Sequence, residues 1–105
     1  MLHLDEQFNG SKIELDVGEE FKVSLPENPS TGFRWNPLSS GDPVCRLLDN
    51  SFDLDGNIPG NAGSHSWRFQ AVKEGSAKIE FAYGRSWEHD KPPARTFTLG
   101  VNVRT

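Results

Sequence analysis

Five stretches of this chain alternate apolar and polar residues with a period of two, and that alternation constrains the fold most. Ile13, Leu15 and Val17 are separated by Glu14 and Asp16; Phe21, Val23 and Leu25 repeat the pattern after a turn signal at Gly18. Trp67, Phe69 and Ala71 form a third run, Ala77, Ile79, Phe81 and Tyr83 a fourth, and Phe97, Leu99, Val101 and Val103 a fifth. Successive side chains of a strand point to opposite faces, so each run buries one face and wets the other. No window of similar length carries apolar residues at helical spacing. The most helix-like patch, Val44 to Leu48, is too short to stand alone. The chain is therefore expected to be all-β.

Residues 38 to 58 are harder to divide. Val44, Leu47, Leu48, Phe52 and Leu54 lie among the breakers Gly41, Pro43, Gly56 and Pro59. The pattern predicts one strand near 43–49 and a short one near 51–55, with Phe33 and Trp35 opening the strand before them. About seven short antiparallel strands favour an immunoglobulin-like sandwich over a closed barrel. With 105 residues, 34% of them hydrophobic, residues 1–105 form a single domain. The lone cysteine, Cys45, excludes an internal disulfide and a cysteine-based zinc cage, so packing alone must close the core.

Charge and length exclude other classes. A net charge of −4 argues against nucleic-acid binding, which depends on neutralising phosphates. No apolar run approaches the roughly 20 residues that span a bilayer, so no membrane partner is expected. The start, MLHLDEQFNG, lacks a basic n-region and an apolar h-region, which points to the cytoplasm for the chain as it stands. A secreted or periplasmic location would require a leader ahead of Met1. Asn9-Gly10-Ser11 is a glycosylation triplet, usable only on a secretory route.

The connections are unequal. Those at 17–20 and 74–76 are tight and plain, whereas three others are long and rich in glycine, proline and aromatic residues. In an antiparallel sandwich, loops separated by two strands lie at the same end. The segments 59–65 and 84–93 meet that condition. The segment 28–33 joins them if residues 33–58 make two passes. Such a gathering of unusual loops on a rigid frame is how sandwiches build binding sites.

In the first segment, Asn28-Pro29 and Thr31-Gly32 are turn dipeptides, with φ fixed at Pro29 and a left-handed conformation open to Gly32. The second, Pro59-Gly60-Asn61-Ala62-Gly63-Ser64, is glycine-rich, but no Gly-Lys-Ser/Thr or helix follows, which disfavours a phosphate cradle. In the third, Trp87 falls beyond the alternating face of its strand, near Arg85, a pairing enriched at binding hot spots. A catalytic Cys–His pair drawn from Cys45 and His3, His65 or His89 is disfavoured, because Cys45 lies in an apolar patch. Glu88, His89 and Asp90 are adjacent on an extended loop and point apart, so no metal site is expected. Neither a catalytic residue nor a cofactor is assigned. A carbohydrate-binding or adhesive immunoglobulin-like module using exposed tryptophan is the alternative, although Trp35 and Trp67 keep strand register and are expected in the core.

Asn28-Pro29-Ser30-Thr31-Gly32-Phe33 resembles the N-P-T-T-G-F/Y loop of the chagasin family, inhibitors of papain-like cysteine proteases. Gly60-Asn61-Ala62-Gly63 is similar to that family's G-x-G-G loop, and Arg85-Ser86-Trp87-Glu88 to its R-P-W-E loop. Trp67, Phe69 and Ala71 match its W-x-F-x-A strand, and Tyr83 precedes the third motif as in the family. The resemblance implies a reversible, tight-binding inhibitor that plugs the cleft of a cathepsin-like protease with three loops; a monomer is the default expectation for the free chain. It implies that Thr31 lies nearest the protease's nucleophilic cysteine and that Arg85 and Trp87 clasp the rim. Ser86 stands where the family has proline, releasing φ, and Ala62 stands where it has glycine. Inhibition with altered selectivity is the expected result.

Overall fold

The computed structural model describes residues 1–27, 32–54, 63–85 and 92–105, with backbone only for Leu54 and Arg85. Eight strands follow one another: β1 (Leu2–Leu4), β2 (Ser11–Asp16), β3 (Glu20–Glu27), β4 (Phe33–Ser40), β5 (Cys45–Leu54), β6 (Gly63–Ala71), β7 (Gly75–Arg85) and β8 (Arg95–Arg104). A 3-10 turn at Glu6–Phe8 links the first two. The strands form two four-stranded sheets, ordered β1-β3-β6-β5 and β2-β8-β7-β4. The expected sandwich is present, and the five alternating runs lie in β2, β3, β6, β7 and β8, except that Val17 falls in the turn after β2 and is exposed.

Three details differ from the sequence reading. The N-terminal β1 adds a strand, held parallel to β3 with Leu2 opposite Phe21 and Leu4 opposite Val23. The strands expected at 43–49 and 51–55 are one strand, β5, whose register against β6 shifts between Leu47 and Asp49. The all-antiparallel expectation holds in the interior of each sheet, while β1–β3 and β2–β8 are parallel. A bulge inserts one residue and so exchanges the inward and outward sets beyond it. That phase change made β5 look like two strands.

The inward rows meet as the core. Phe21, Val23, Leu25, Trp67, Phe69 and Ala71 come from one sheet; Leu15, Trp35, Ile79, Phe81, Phe97, Leu99, Val101 and Val103 come from the other. Full burial of each large side chain is worth about 1.5–3 kcal/mol. Cys45 is fully buried, and burial together with the nearby charge of Asp42 pushes its thiol up to about 11. Its thiolate is scarce at neutral pH, as suits a core residue.

The two ends of the sandwich are built differently. At one end the Gly18 N–H donates to Ala71 O at 2.7 Å and the Ala71 N–H to Glu19 O at 2.9 Å. The N–H groups of Val72 and Lys73 donate to Val44 O, so three short turns interlock there. The opposite end carries the last residues of β3, β5 and β7 and the first of β4 and β6.

Candidate functional site

Register places the roots of all three motif-bearing segments at that opposite end. Glu27, closing β3, faces Gly63, opening β6, and Gly63 also faces Leu54, closing β5. In the other sheet Phe33, opening β4, faces Arg85, closing β7. Residues 33–54 make two passes, which meets the condition for convergence. The first segment connects one sheet to the other, an arch in topology. The second and third each close a hairpin within one sheet, β5–β6 and β7–β8.

Of the residues assigned to the site from sequence, Asn28, Pro29, Ser30, Thr31, Gly60, Asn61, Ala62, Ser86 and Trp87 lie outside the described residues, as does His89. Gly32 sits at the foot of the arch with φ at +81°, a conformation that favours glycine. Phe33 is half-buried and stacks on Tyr83, with ring centroids 5.3 Å apart. Arg85 is the last residue of β7. The strands reach further than expected: Phe33, Gly63 to His65, Gly84 and Arg85 belong to ladders rather than to free loops.

Gly63 is a buried strand residue. A Cβ there would lie 2.5 Å from Phe52 Cζ and 2.8 Å from Asp53 O. Only glycine lets the Phe52 ring close over the root of the second segment. Gly63→Ala is expected to destabilise the domain by about 1–3 kcal/mol through overpacking, read as a lower urea midpoint.

At this end of the sandwich lies an aromatic floor. Trp35 packs on Tyr83 at 4.8 Å, and Trp67 packs on Phe81 at 4.4 Å. The Trp35 indole Nε1–H donates to Pro26 O at 2.7 Å, pinning β4 to the end of β3. Trp35 and Trp67 are 4% and 2% exposed, so neither offers a stacking face to a sugar. This leaves the carbohydrate reading without the platforms it needs from these two residues.

Two polar residues crown this floor: Glu27, outside the segments read from sequence, and His65, the last residue of the second. The Glu27 side chain is 3% exposed. Its Oε2 accepts from the Trp35 backbone N–H at 2.8 Å, and its Oε1 lies 3.2 Å from His65 Nδ1. His65 Nε2 lies 3.0 Å from Asn50 Oδ1, and the imidazole stacks on Trp67 with centroids 4.1 Å apart. The signal was present as parity: Phe21, Val23 and Leu25 lead to Glu27, and Ala71, Phe69 and Trp67 lead back to His65. Hydrophobic patterning stops at the first polar residue and so overlooked them.

Among the described residues, the groups considered for catalysis lie apart. Cys45 pairs with Ala71 at the far end, whereas His65 pairs with Phe52. Six positions along β6 separate the two sites, roughly 20 Å along a strand, too far for a catalytic pair. His3 is exposed on β1. Among the described residues, no three His, Cys, Asp or Glu side chains converge as metal ligands.

Comparison with known proteins agrees with this architecture. The chain is 32% identical to amoebiasin-1 of Entamoeba histolytica, over 98% of this chain and all of that one. It is 25% identical to chagasin of Trypanosoma cruzi, over 87% of each. Its fold superposes on the crystal structure of the Entamoeba histolytica cysteine protease inhibitor EhICP2 with a TM-score of 0.89. That match has 24% identity and covers 98% of this chain and 95% of the other. Residues 14–101 match the family model described as chagasin family peptidase inhibitor I42, and the chain belongs to that family.

Proposed function

We propose that the protein is a reversible, tight-binding inhibitor of papain-like cysteine proteases that fills the catalytic cleft with segments 28–33, 59–65 and 84–93. The observation that carries this reading is the convergence of the roots of all three segments on one end of the sandwich. Family membership supplies the inhibitory activity and the target class. The central wedge is the arch, with Thr31 facing the protease's nucleophilic cysteine. The hairpin segments flank it, and Arg85 and Trp87 reach the rim.

The physics of inhibition follows from stiffness. The arch leaves β3 and re-enters β4 at strands that Trp35 holds together through both its nitrogens. Fixing both feet shortens the span that must be ordered on binding, which lowers the entropic cost of association. The three segments hold about 20 residues, close to one side of a standard interface. A turn that fills the cleft without aligning a carbonyl for attack inhibits without being cut.

Titrating papain with the protein tests this directly. The expected result is a linear loss of activity ending at one inhibitor per active protease, with the inhibitor recovered uncleaved. Full activity of several papain-like proteases at micromolar inhibitor would overturn the reading.

A further inference from the structure

We infer that Glu27 is a positioning residue of the protease-binding end, its carboxylate tying the feet of the first segment to the roots of the second. The inference rests on the inhibitory reading above. Glu27 closes β3, the strand that leads into the first segment; its Oε2 holds the backbone N–H of Trp35 on β4, where that segment returns. Its Oε1 holds His65 on β6, the last residue of the second segment. His65 in turn reaches Asn50 on β5, the strand leading into that segment. One continuous path, Trp35–Glu27–His65–Asn50, therefore crosses all four strands that anchor the two segments.

Stability alone does not call for a carboxylate here. Burying one is costly unless every lone pair is engaged, and a packed apolar residue of similar size often does as well or better. What an apolar residue cannot supply is direction. Leucine at position 27 would fill the volume and hold neither the Trp35 N–H nor the His65 ring. Glutamine would keep both: its carbonyl oxygen accepts from Trp35, and its amide donates to His65 Nδ1 while Nε2–H donates to Asn50.

The test compares the inhibition constant for papain across variants, with thermal melting of each. Glu27→Leu is expected to raise the constant about 10-fold or more, as losing one well-placed buried hydrogen bond does, while Glu27→Gln stays within about 3-fold of wild type. His65→Leu cuts the same tether from the other side, so Glu27→Leu/His65→Leu should be no weaker than the worse single variant. Val103→Ala, a buried change near the opposite end, controls for loss of stability and should leave the constant unchanged. Wild-type inhibition with an unaltered constant for Glu27→Leu would overturn the inference. So would additive effects in the double variant, or a weakening by Val103→Ala equal to that by Glu27→Leu. A wild-type chain that inhibits nothing is a different outcome: it removes the functional reading, and the tether with it.

Discussion

Trp67→Ala is expected to lower the stability of the domain by about 3–5 kcal/mol, the range for truncating a buried large aromatic. Trp67 is 2% exposed, lies in the inward row of β6 and faces Val23 on one neighbouring strand and Asn50 on the other. Its ring is parallel to His65 within 3° and packs on Phe81 across the sandwich. Removing it opens a cavity bordered by both sheets, and rigid strand ladders limit how far the walls can close. At about 4 to 8 °C per kcal/mol for a domain near this size, the melting temperature should fall by roughly 12–40 °C. Thermal or urea unfolding measures it. A loss below about 1 kcal/mol would mean that the neighbouring side chains repack into the space, contrary to a core of this density.

Thr31→Asp is expected to raise the inhibition constant for papain by about 100-fold or more while leaving the melting temperature near that of wild type. The asymmetry follows from where the residue lies in the chain. Position 31 lies between Glu27, which closes β3, and Phe33, which opens β4, and in the proposed reading its side chain serves the protease and not the core. In the complex, however, the new carboxylate would enter a dry cleft without a partner, at about 3–5 kcal/mol for an uncompensated buried charge. Steady-state inhibition alongside a melting curve separates the two effects. An unchanged inhibition constant would show that the arch is not the wedge.

The fold was legible wherever a strand buried one face continuously. β2, β3, β6, β7 and β8 each announce themselves by alternation, because the pleat converts burial into a period of two. β5 was misread as two strands for the same reason, since the register shift after Leu47 breaks the period at the point where the strand continues. β1 holds too few residues for any period to register, and its three backbone pairings with β3 depend on a neighbour far along the chain. The segments of the site were legible as motifs and turn chemistry. The support beneath them was not. Glu27 and His65 are polar residues in inward positions, and only the partner 38 positions away turns either from an anomaly into a contact.

The sheet edges bear on how the molecule behaves in a crowded solution. Every open sheet has two edges whose unpaired amides can recruit a stray strand. Here β1 is only three residues long, and β2 presents Lys12, Glu14 and Asp16 along its outer face. β4 carries Pro37 and a register shift beside it, and β5 carries its own shift. Among the described residues none of the four offers a long, flat, apolar template, so strand addition at these edges is discouraged. Blunted edges of this kind lower the tendency of a β-sandwich to template its own aggregation as its concentration rises.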